Sequence, residues 1–391
     1  IRYLLMKKKI IILGSTGSIG KTLVKIITEN KENFKVILLT ANKNYISLLK
    51  QARILKVSNI IITDKKSYLK SLKINKNKNL KIHNNFNKIE NFISRKVDYT
   101  MSSIIGLNGL IPTFKIIKFT KEIAIANKES LICGWNLIRA QLKKYKTKFI
   151  PVDSEHFSLW YALKKNNDEI KRIYLTASGG PFNNLPLNKF DKISVKHALK
   201  HPNWKMGKKI TIDSATMMNK VFEVMEAKNI FDINYEKIKI LIHPKSYLHC
   251  VVQFQNGMSK IIAHDTSMKI PILNTIYKDR PKNLKSKYLK IKILNDLSLK
   301  KVDYKKFPLV KLLKKLPNKN SLYETVVVST NDTIVDLFLN GKIQFTDISK
   351  KILKIINKKE FSKYKNIKPK KIGDIIKLDN LVRLKINTKS I

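Results

Sequence analysis

The sequence predicts an α/β protein, with a parallel sheet covered by helices over residues 1–150, a mixed α+β segment after it and a helical C-terminal part. Three observations predict this. Apolar runs suited to buried strands alternate with amphipathic stretches of helical period through the first 150 residues. Past Pro151 the segments lengthen and carry most of the histidines, tryptophans and Gly/Pro turns, which marks a second domain over 151–278. A charged stretch then reads as a linker over 279–303, and helical periodicity from about Pro308 to the end assigns 304–391 to a small helical domain.

The strand candidates in order are KIIIL at 9–13, FKVILLT at 34–40, SNIIIT at 58–63, VDYTMSSII at 97–105 and EIAIA at 122–126. The Lys/Asn-rich piece INKNKNLKIHNNFN at 74–87 reads as a surface connection. The basic run and the apolar stretch after it do not make an export signal or a membrane span, because the apolar residues stop after Leu13, and residues 1–5, ahead of Met6, read as an appended leader.

Charge narrows the function classes. The chain has 79 Lys+Arg against 28 Asp+Glu, a formal +51. A nucleic-acid partner would need clustered basic groups, yet these lysines run through every segment beside asparagine and isoleucine, arginines are few, and no basic stripe is interleaved with aromatics. The excess reads as a compositional bias expressed as solvated lysine, with neither a nucleic acid nor a membrane as partner. Two widely separated cysteines, Cys133 and Cys250, give no disulfide framework or thiolate zinc site and suit a reducing cytoplasm.

The first strand runs into GSTGSIG at 14–20 and then a helix start. Gly14, Gly17 and Gly20 permit a tight turn and close backbone approach, and amides at a helix N-terminus face a pyrophosphate, as in a Rossmann-like dinucleotide-binding domain; the alternative is a plain strand-to-helix turn. The second strand ends in VILLTANKN, with no acidic residue for a ribose hydroxyl. It offers Lys43 and Asn44 instead, which fits a 2′-phosphate and so NADP, unless Lys43 is one more biased lysine.

PVDSEH at 151–156 sets Asp153 and Glu155 one residue apart. If Lys148–Val152 is an extended run entering this segment, the two-residue repeat of a strand points both carboxylates to one side. At about 6 Å and an effective dielectric of about 20 they repel by roughly 3 kcal/mol. A cation must answer that, either a lysine or a divalent metal with further oxygen ligands. Within residues 201–228, Asp213, Ser214 or Thr216 can begin a helix on which Asn219 and Glu223 fall four apart, with Lys220 adjoining. Glu223 is then a candidate third carboxylate, and such an oxygen set suits Mg²⁺ or Mn²⁺ better than zinc. TASGGPF at 176–182 offers a hydroxyl and free amides. Ser178, Ser214, Asn219 and Lys220 make a candidate phosphate shell, against the alternative of an ordinary turn.

Taken together, GSTGSIG, ANKESL (126–131), PVDSEH, SGGPF, HPNWKMGKKITIDSATMMNK and IHPKSYLH (242–249) resemble the successive signatures of the 1-deoxy-D-xylulose 5-phosphate reductoisomerase family, in family order, from residue 9 to about 275. The family's Asn-Ala-Ala-Asn-Glu stretch appears as STNDT, so the C-terminal part is more divergent. The resemblance implies a homodimer with an NADPH domain, a catalytic domain and a helical domain, converting deoxyxylulose phosphate to methylerythritol phosphate in isoprenoid precursor synthesis. It implies that Asp153, Glu155 and Glu223 bind Mg²⁺ or Mn²⁺, with Co²⁺ a further option. It places Ser154, Ser178, His201, Trp204, Ser214, Asn219 and Lys220 on the substrate, with Lys128 beside the reacting centre. Lys128, Glu155 and His201 are the catalytic candidates, and either Lys128 or Glu155 can shuttle the proton. Thr16, Gly17, Ser18, Ile19, Lys43, Asn44, Asn127, Glu129 and Gly207 would face NADPH. The stretch His197–Lys208 corresponds to a lid, with Trp204 over the substrate and Met206 near the nicotinamide.

Two further departures accompany it. Asn42 replaces a family glycine, which asparagine tolerates because it accepts left-handed backbone angles, and Val221–Phe222 replace a Gly-Leu pair. His156, His243 and His249 are read as structural.

Overall fold

The computed structural model describes residues 7–87, 89–164, 168–204, 206–277 and 291–389. The chain forms two compact units, one drawn from residues 1–130, 138–153 and 268–283, the other from 131–137, 154–267 and 284–391.

The first unit is built on a seven-stranded, wholly parallel sheet of order β4-β3-β2-β1-β5-β6-β7. Its strands are β1 (Lys8–Leu13), β2 (Phe34–Ala41), β3 (Asn59–Ile62), β4 (Lys81–His83), β5 (Val97–Ser102), β6 (Thr120–Ile125) and β7 (Lys148–Pro151). The central strand β1 ends in a continuous apolar run, as expected of a strand covered on both faces: Ile10, Ile11, Ile12 and Leu13 are fully buried, as are Ile123, Ala124 and Ile125 of β6. Strand order reverses between β1 and β5, where Leu13 registers with Ser102, so a crevice opens beyond their carboxyl ends. The helix Lys269–Ile276 also lies in this unit, where Thr275 Oγ1 is 2.8 Å from the buried Tyr99 hydroxyl.

One expectation fails here. The stretch at 74–87 is not wholly a surface connection, since Lys81–His83 add an edge strand parallel to β3. Ile82 is the single apolar residue in that strand, so periodicity has nothing to register.

The second unit holds a mixed five-stranded sheet of order β11-β10-β8-β9-β12. It comprises β8 (Ile170–Ala177), β9 (Ile238–Ile242), β10 (Leu248–Phe254), β11 (Ser259–Ala263) and β12 (Lys300–Lys301), with only β8 and β9 parallel among the described pairings. The helix Met218–Phe231 is buried on nearly every side, from Val221 and Phe222 to Ala227. The pair replacing Gly-Leu is thus packed in the core.

From Pro308 the chain is helical as expected. A 3₁₀ turn at Pro308–Lys315 leads to the helices Tyr323–Leu339, Phe345–Ile356 and Ile372–Lys389. The first of these is buried on nearly every side, with Val326, Val327 and Val328 inaccessible and the polar Ser329, Thr330 and Asn331 buried as well. Of the segment read as a linker, 279–290 lie outside the described residues, as do residues 1–5; the remainder forms the helix Ile291–Asn295 and the edge strand β12. Among the described residues, no helix is long and apolar enough to cross a membrane. The fold class is the expected one: a Rossmann-like parallel sheet, an α+β portion and a C-terminal helical portion.

Candidate active site

The acidic pair is not on a strand. Strand β7 ends at Pro151 and a helix runs Ser154–Leu163, so Glu155 lies in that helix's first turn and Asp153 is the residue before it. Acidic and hydroxyl side chains favour a helix start through the unpaired amides there, and that local preference overrides continuation of the strand.

Within the second unit, two helices bring carboxylates to one cation. Lys220 Nζ is 3.0 Å from Glu155 Oε1 and also contacts Glu223 Oε2. Asn219 donates to Glu223 Oε1, as its spacing of four along one helix predicts, and the Ser154 hydroxyl donates to Glu155 Oε2. Lys220 is 4% exposed and Glu223 2%. Burial would lower the Lys220 pKa, but the adjacent carboxylates of Glu155 and Glu223 outweigh it and hold the ammonium above its ordinary value. Behind Glu223, the buried His156 sets Nε2 at 2.8 Å from its backbone oxygen and Nδ1 at 3.3 Å from Glu226. In the first unit, Lys128 Nζ is 3.0 Å from Asp153 Oδ2. The charge answered by a cation in the sequence argument is here answered by lysines.

The helix carrying Glu223 starts later than expected. Asp213 and Ser214 belong to a preceding helix, Lys208–Ala215; Thr216 closes it, and Met217 turns the chain with φ 62° before Met218 opens the next. That reversal lets Ser214 and Asn219 belong to different helices.

Ser178, His201 and Ser214 form a second cluster in the same unit. Gly179 and Gly180 have φ of +80° and +66°, and a Cβ on Gly180 would lie 2.7 Å from the Ser214 backbone oxygen, so only glycine allows the two backbones this close. His201 Nδ1 accepts from the amides of Asn203 (3.2 Å) and Trp204 (3.0 Å). Burial lowers its pKa to about 4, so at neutral pH the ring carries its proton on Nε2. Nε2–H then donates towards Ser214 Oγ at 3.0 Å and Ser178 Oγ at 3.3 Å. Ser178 Oγ also accepts from the Gly180 amide at 3.0 Å. With their oxygens accepting, both hydroxyls keep a hydrogen to offer an anion.

The lid stretch is pinned at its middle, where the Asn203 side-chain Nδ2 donates to Pro244 O (2.6 Å) and Ser246 Oγ (2.9 Å). The Trp204 ring lies 6.5 Å from that of His249, which stacks on His264 at 3.7 Å. Met206 is half-buried, Gly207 opens the helix Lys208–Ala215, and Lys205 lies outside the described residues. His243 Nδ1 is 3.3 Å from Ser298 O.

In the first unit the glycine loop turns after β1. Gly14 has φ +79°, and a Cβ on Gly20 would fall 2.3 Å from Gly14 O, which forces glycine at both ends of the turn. Gly17 precedes the helix Ser18–Thr28; Thr16 and Ile19 are half-buried and Ser18 is exposed. Gln51 was not anticipated: its Oε1 accepts from Ser15 Oγ (2.7 Å) and its Nε2 donates to Ser15 O (3.0 Å), tying the loop to the helix Tyr45–Leu55. A polar residue on the buried side of an amphipathic helix was its only sequence signal.

Lys43 is exposed, and Asn44 caps that same helix by accepting from the Ser47 amide at 3.2 Å. Asn42 is not in the left-handed region, so the tolerance invoked for it is not needed; its amide donates to Thr63 Oγ1 at 2.8 Å. Asn127 donates to Ile104 O and Gly106 O (2.8 Å) and accepts from the Ser130 amide at 2.7 Å, joining the loops after β5 and β6. Glu129 is buried beside it in sequence.

Comparison with known proteins places this geometry. Three family models match successive parts of the chain: 1-deoxy-D-xylulose 5-phosphate reductoisomerase at 10–134, its C-terminal domain at 149–231 and the DXP reductoisomerase C-terminal domain at 265–385. A protein of Pelagibacter ubique (strain HTCC1062) named 1-deoxy-D-xylulose 5-phosphate reductoisomerase is 59% identical over 390 residues, 98% of this chain and 100% of that protein. The reductoisomerase of Zymomonas mobilis in complex with NADPH superimposes with a TM-score of 0.86 at 30% identity, over 99% of this chain and 100% of that one. A DOX-P reductoisomerase in complex with NADPH, fosmidomycin and magnesium gives 0.89 at 28% identity, over 98% and 100%. Matched along almost its whole length, the chain belongs to the 1-deoxy-D-xylulose 5-phosphate reductoisomerase family.

Proposed function

We propose that this chain converts 1-deoxy-D-xylulose 5-phosphate to 2-C-methyl-D-erythritol 4-phosphate, using NADPH and a divalent cation, in non-mevalonate isoprenoid precursor synthesis. The observation that carries the reading is the convergence of Glu155 and Glu223 on one buried cation, with carboxylate oxygens within 4.8 Å of one another. Both donors are hard oxygens, a set that fits Mg²⁺ or Mn²⁺, with Co²⁺ also accommodated. Asp153, separated from Glu155 by Ser154 alone, is the third ligand of this proposal. When bound, the cation polarises the substrate's carbonyl and NADPH supplies the hydride.

The chain's own residues do the rest. Ser178 and Ser214, each accepting from His201, turn their hydroxyl hydrogens to the phosphate, and the Lys220 ammonium and Asn219 amide meet the same group. Lys128 or Glu155 exchanges the proton at the reacting carbons, and Trp204 covers the substrate. Thr16, Gly17, Ser18, Ile19, Lys43, Asn44, Asn127, Glu129 and Gly207 hold the dinucleotide, with Met206 beside its nicotinamide.

The assignment of residues 1–150 to NADPH, 151–278 to catalysis, 279–303 to a linker and 304–391 to a helical domain is part of the same proposal, as are a homodimer and a cytoplasmic location. The test is oxidation of NADPH on adding deoxyxylulose phosphate and Mg²⁺ or Mn²⁺, with the product identified by mass spectrometry. Turnover that stops on chelation is expected; absence of turnover with every cation overturns the proposal.

A further inference from the structure

Ser214 is followed across its helix by a polar network that the chemistry above does not use. Its neighbour Asp213 is 1% exposed and accepts from Asn331 Nδ2 at 2.8 Å. Lys209, one turn earlier, is 2.8 Å from Asp213 and 2.9 Å from Asp332. Arg383 pairs with Asp332 at 3.0 Å. A buried carboxylate has few acceptable orientations, and here its two oxygens are directed by two partners. The helix Lys208–Ala215 is only eight residues long, with one end at the lid and the other at the Met217 turn, so its own hydrogen bonds do little to fix its rotation.

We propose that Asn331 and Asp332, acting through Asp213 and Lys209, are positioning residues that set the rotation of the Lys208–Ala215 helix and thereby the Ser214–His201 hydrogen bond. This rests on the reading of Ser214 and His201 as holders of the substrate's phosphate. The lever is geometric. A side-chain oxygen about 5 Å from a helix axis moves by more than 1 Å when the helix turns by roughly 15°, enough to break a bond of normal length. Asp213 and Ser214 are adjacent, so a rotation that relaxes one displaces the other. The C-terminal helices would thus set affinity for the phosphate end of the substrate without touching it.

The test compares wild type with Asn331→Leu, and with the exchange Asp213→Asn plus Asn331→Asp, in the full chain. In Asn331→Leu the KM for deoxyxylulose phosphate is expected to rise about tenfold, with the KM for NADPH within twofold and kcat changed less, and the exchanged pair is expected to recover most of the loss. A second readout needs no turnover: in ¹⁵N-histidine-labelled protein without ligands, the His201 Nε2–H signal is expected in wild type, lost to solvent exchange in Asn331→Leu and regained in the exchanged pair. Asp332→Asn, which keeps the shape, carries the test at about threefold if the leucine variant does not fold. Unchanged substrate KM and ring signal, or equal rises in both KM values, overturn the proposal. Wild type that fails to turn over the substrate overturns the functional reading instead, and the ring signal still decides this one.

Discussion

Replacing Lys220 with methionine tests the electrostatics of the site. The change keeps a long apolar stem and removes the ammonium that joins Glu155 and Glu223. Their oxygens lie within 4.8 Å of one another, and at an effective dielectric of about 20 two unit charges at that distance repel by about 3 kcal/mol. Breaking a buried pair by removing one partner typically costs 3–5 kcal/mol, because a carboxylate is left uncompensated. Urea unfolding at pH 7.5 with chelator is therefore expected to show a loss of about 3 kcal/mol. Adding Glu223→Gln to the variant removes the repulsion and is expected to restore most of it. Mg²⁺ should stabilise Lys220→Met more than wild type. The Lys220 pKa is raised in the fold, so the wild-type contribution is complete at neutral pH and fades only as pH climbs beyond the free-lysine value of 10.5. A variant as stable as wild type, or no recovery on adding Glu223→Gln, refutes the reasoning.

Three further expectations follow from particular contacts. Gly20→Ala drives a methyl to within 2.3 Å of Gly14 O, backbone that cannot yield cheaply, so thermal unfolding should show a loss of about 2 kcal/mol or more, with weaker NADPH binding by fluorescence titration. Glu324 is buried and, against hydrogen bonds from Ser321, its pKa is pushed up to about 7, whereas the unfolded chain releases that proton near 4.5. The unfolded state binds fewer protons between those values, so stability should fall by about 3 kcal/mol as pH rises from 4.5 to 7, and Glu324→Gln should flatten that slope. His201 behaves oppositely: burial takes it from 6.5 to about 4, so between those values stability should fall as pH falls, and a ¹⁵N titration should find the ring neutral at pH 6.

What was legible in the sequence is what local chemistry determines. The five apolar runs became strands because each buries most of its residues, such as Ile10 to Leu13 in β1 and Val97, Tyr99 and Met101 in β5, and GSTGSIG became a turn because the approach at Gly20 admits no side chain. Asn219 and Glu223 met because helical spacing alone brings them together. Strand β4 escaped because it has one apolar residue, and the Met217 reversal escaped because methionine gives no signal for positive φ. The extrapolation of a strand through Asp153 failed where a helix-start preference competed with it. Lys220 could not be picked out as the counter-charge in a chain with 79 basic residues, and the Asp213–Asn331 bond spans 118 positions, which only tertiary packing connects.

The central claim is that Glu155 and Glu223 share one divalent cation, and Mn²⁺ binding followed by electron paramagnetic resonance tests it without relying on turnover. Wild type should take up one tightly held Mn²⁺ per chain, displaceable by Mg²⁺, and Glu223→Gln should lose it while remaining folded by circular dichroism. Undiminished stoichiometric binding in Glu223→Gln would contradict the account.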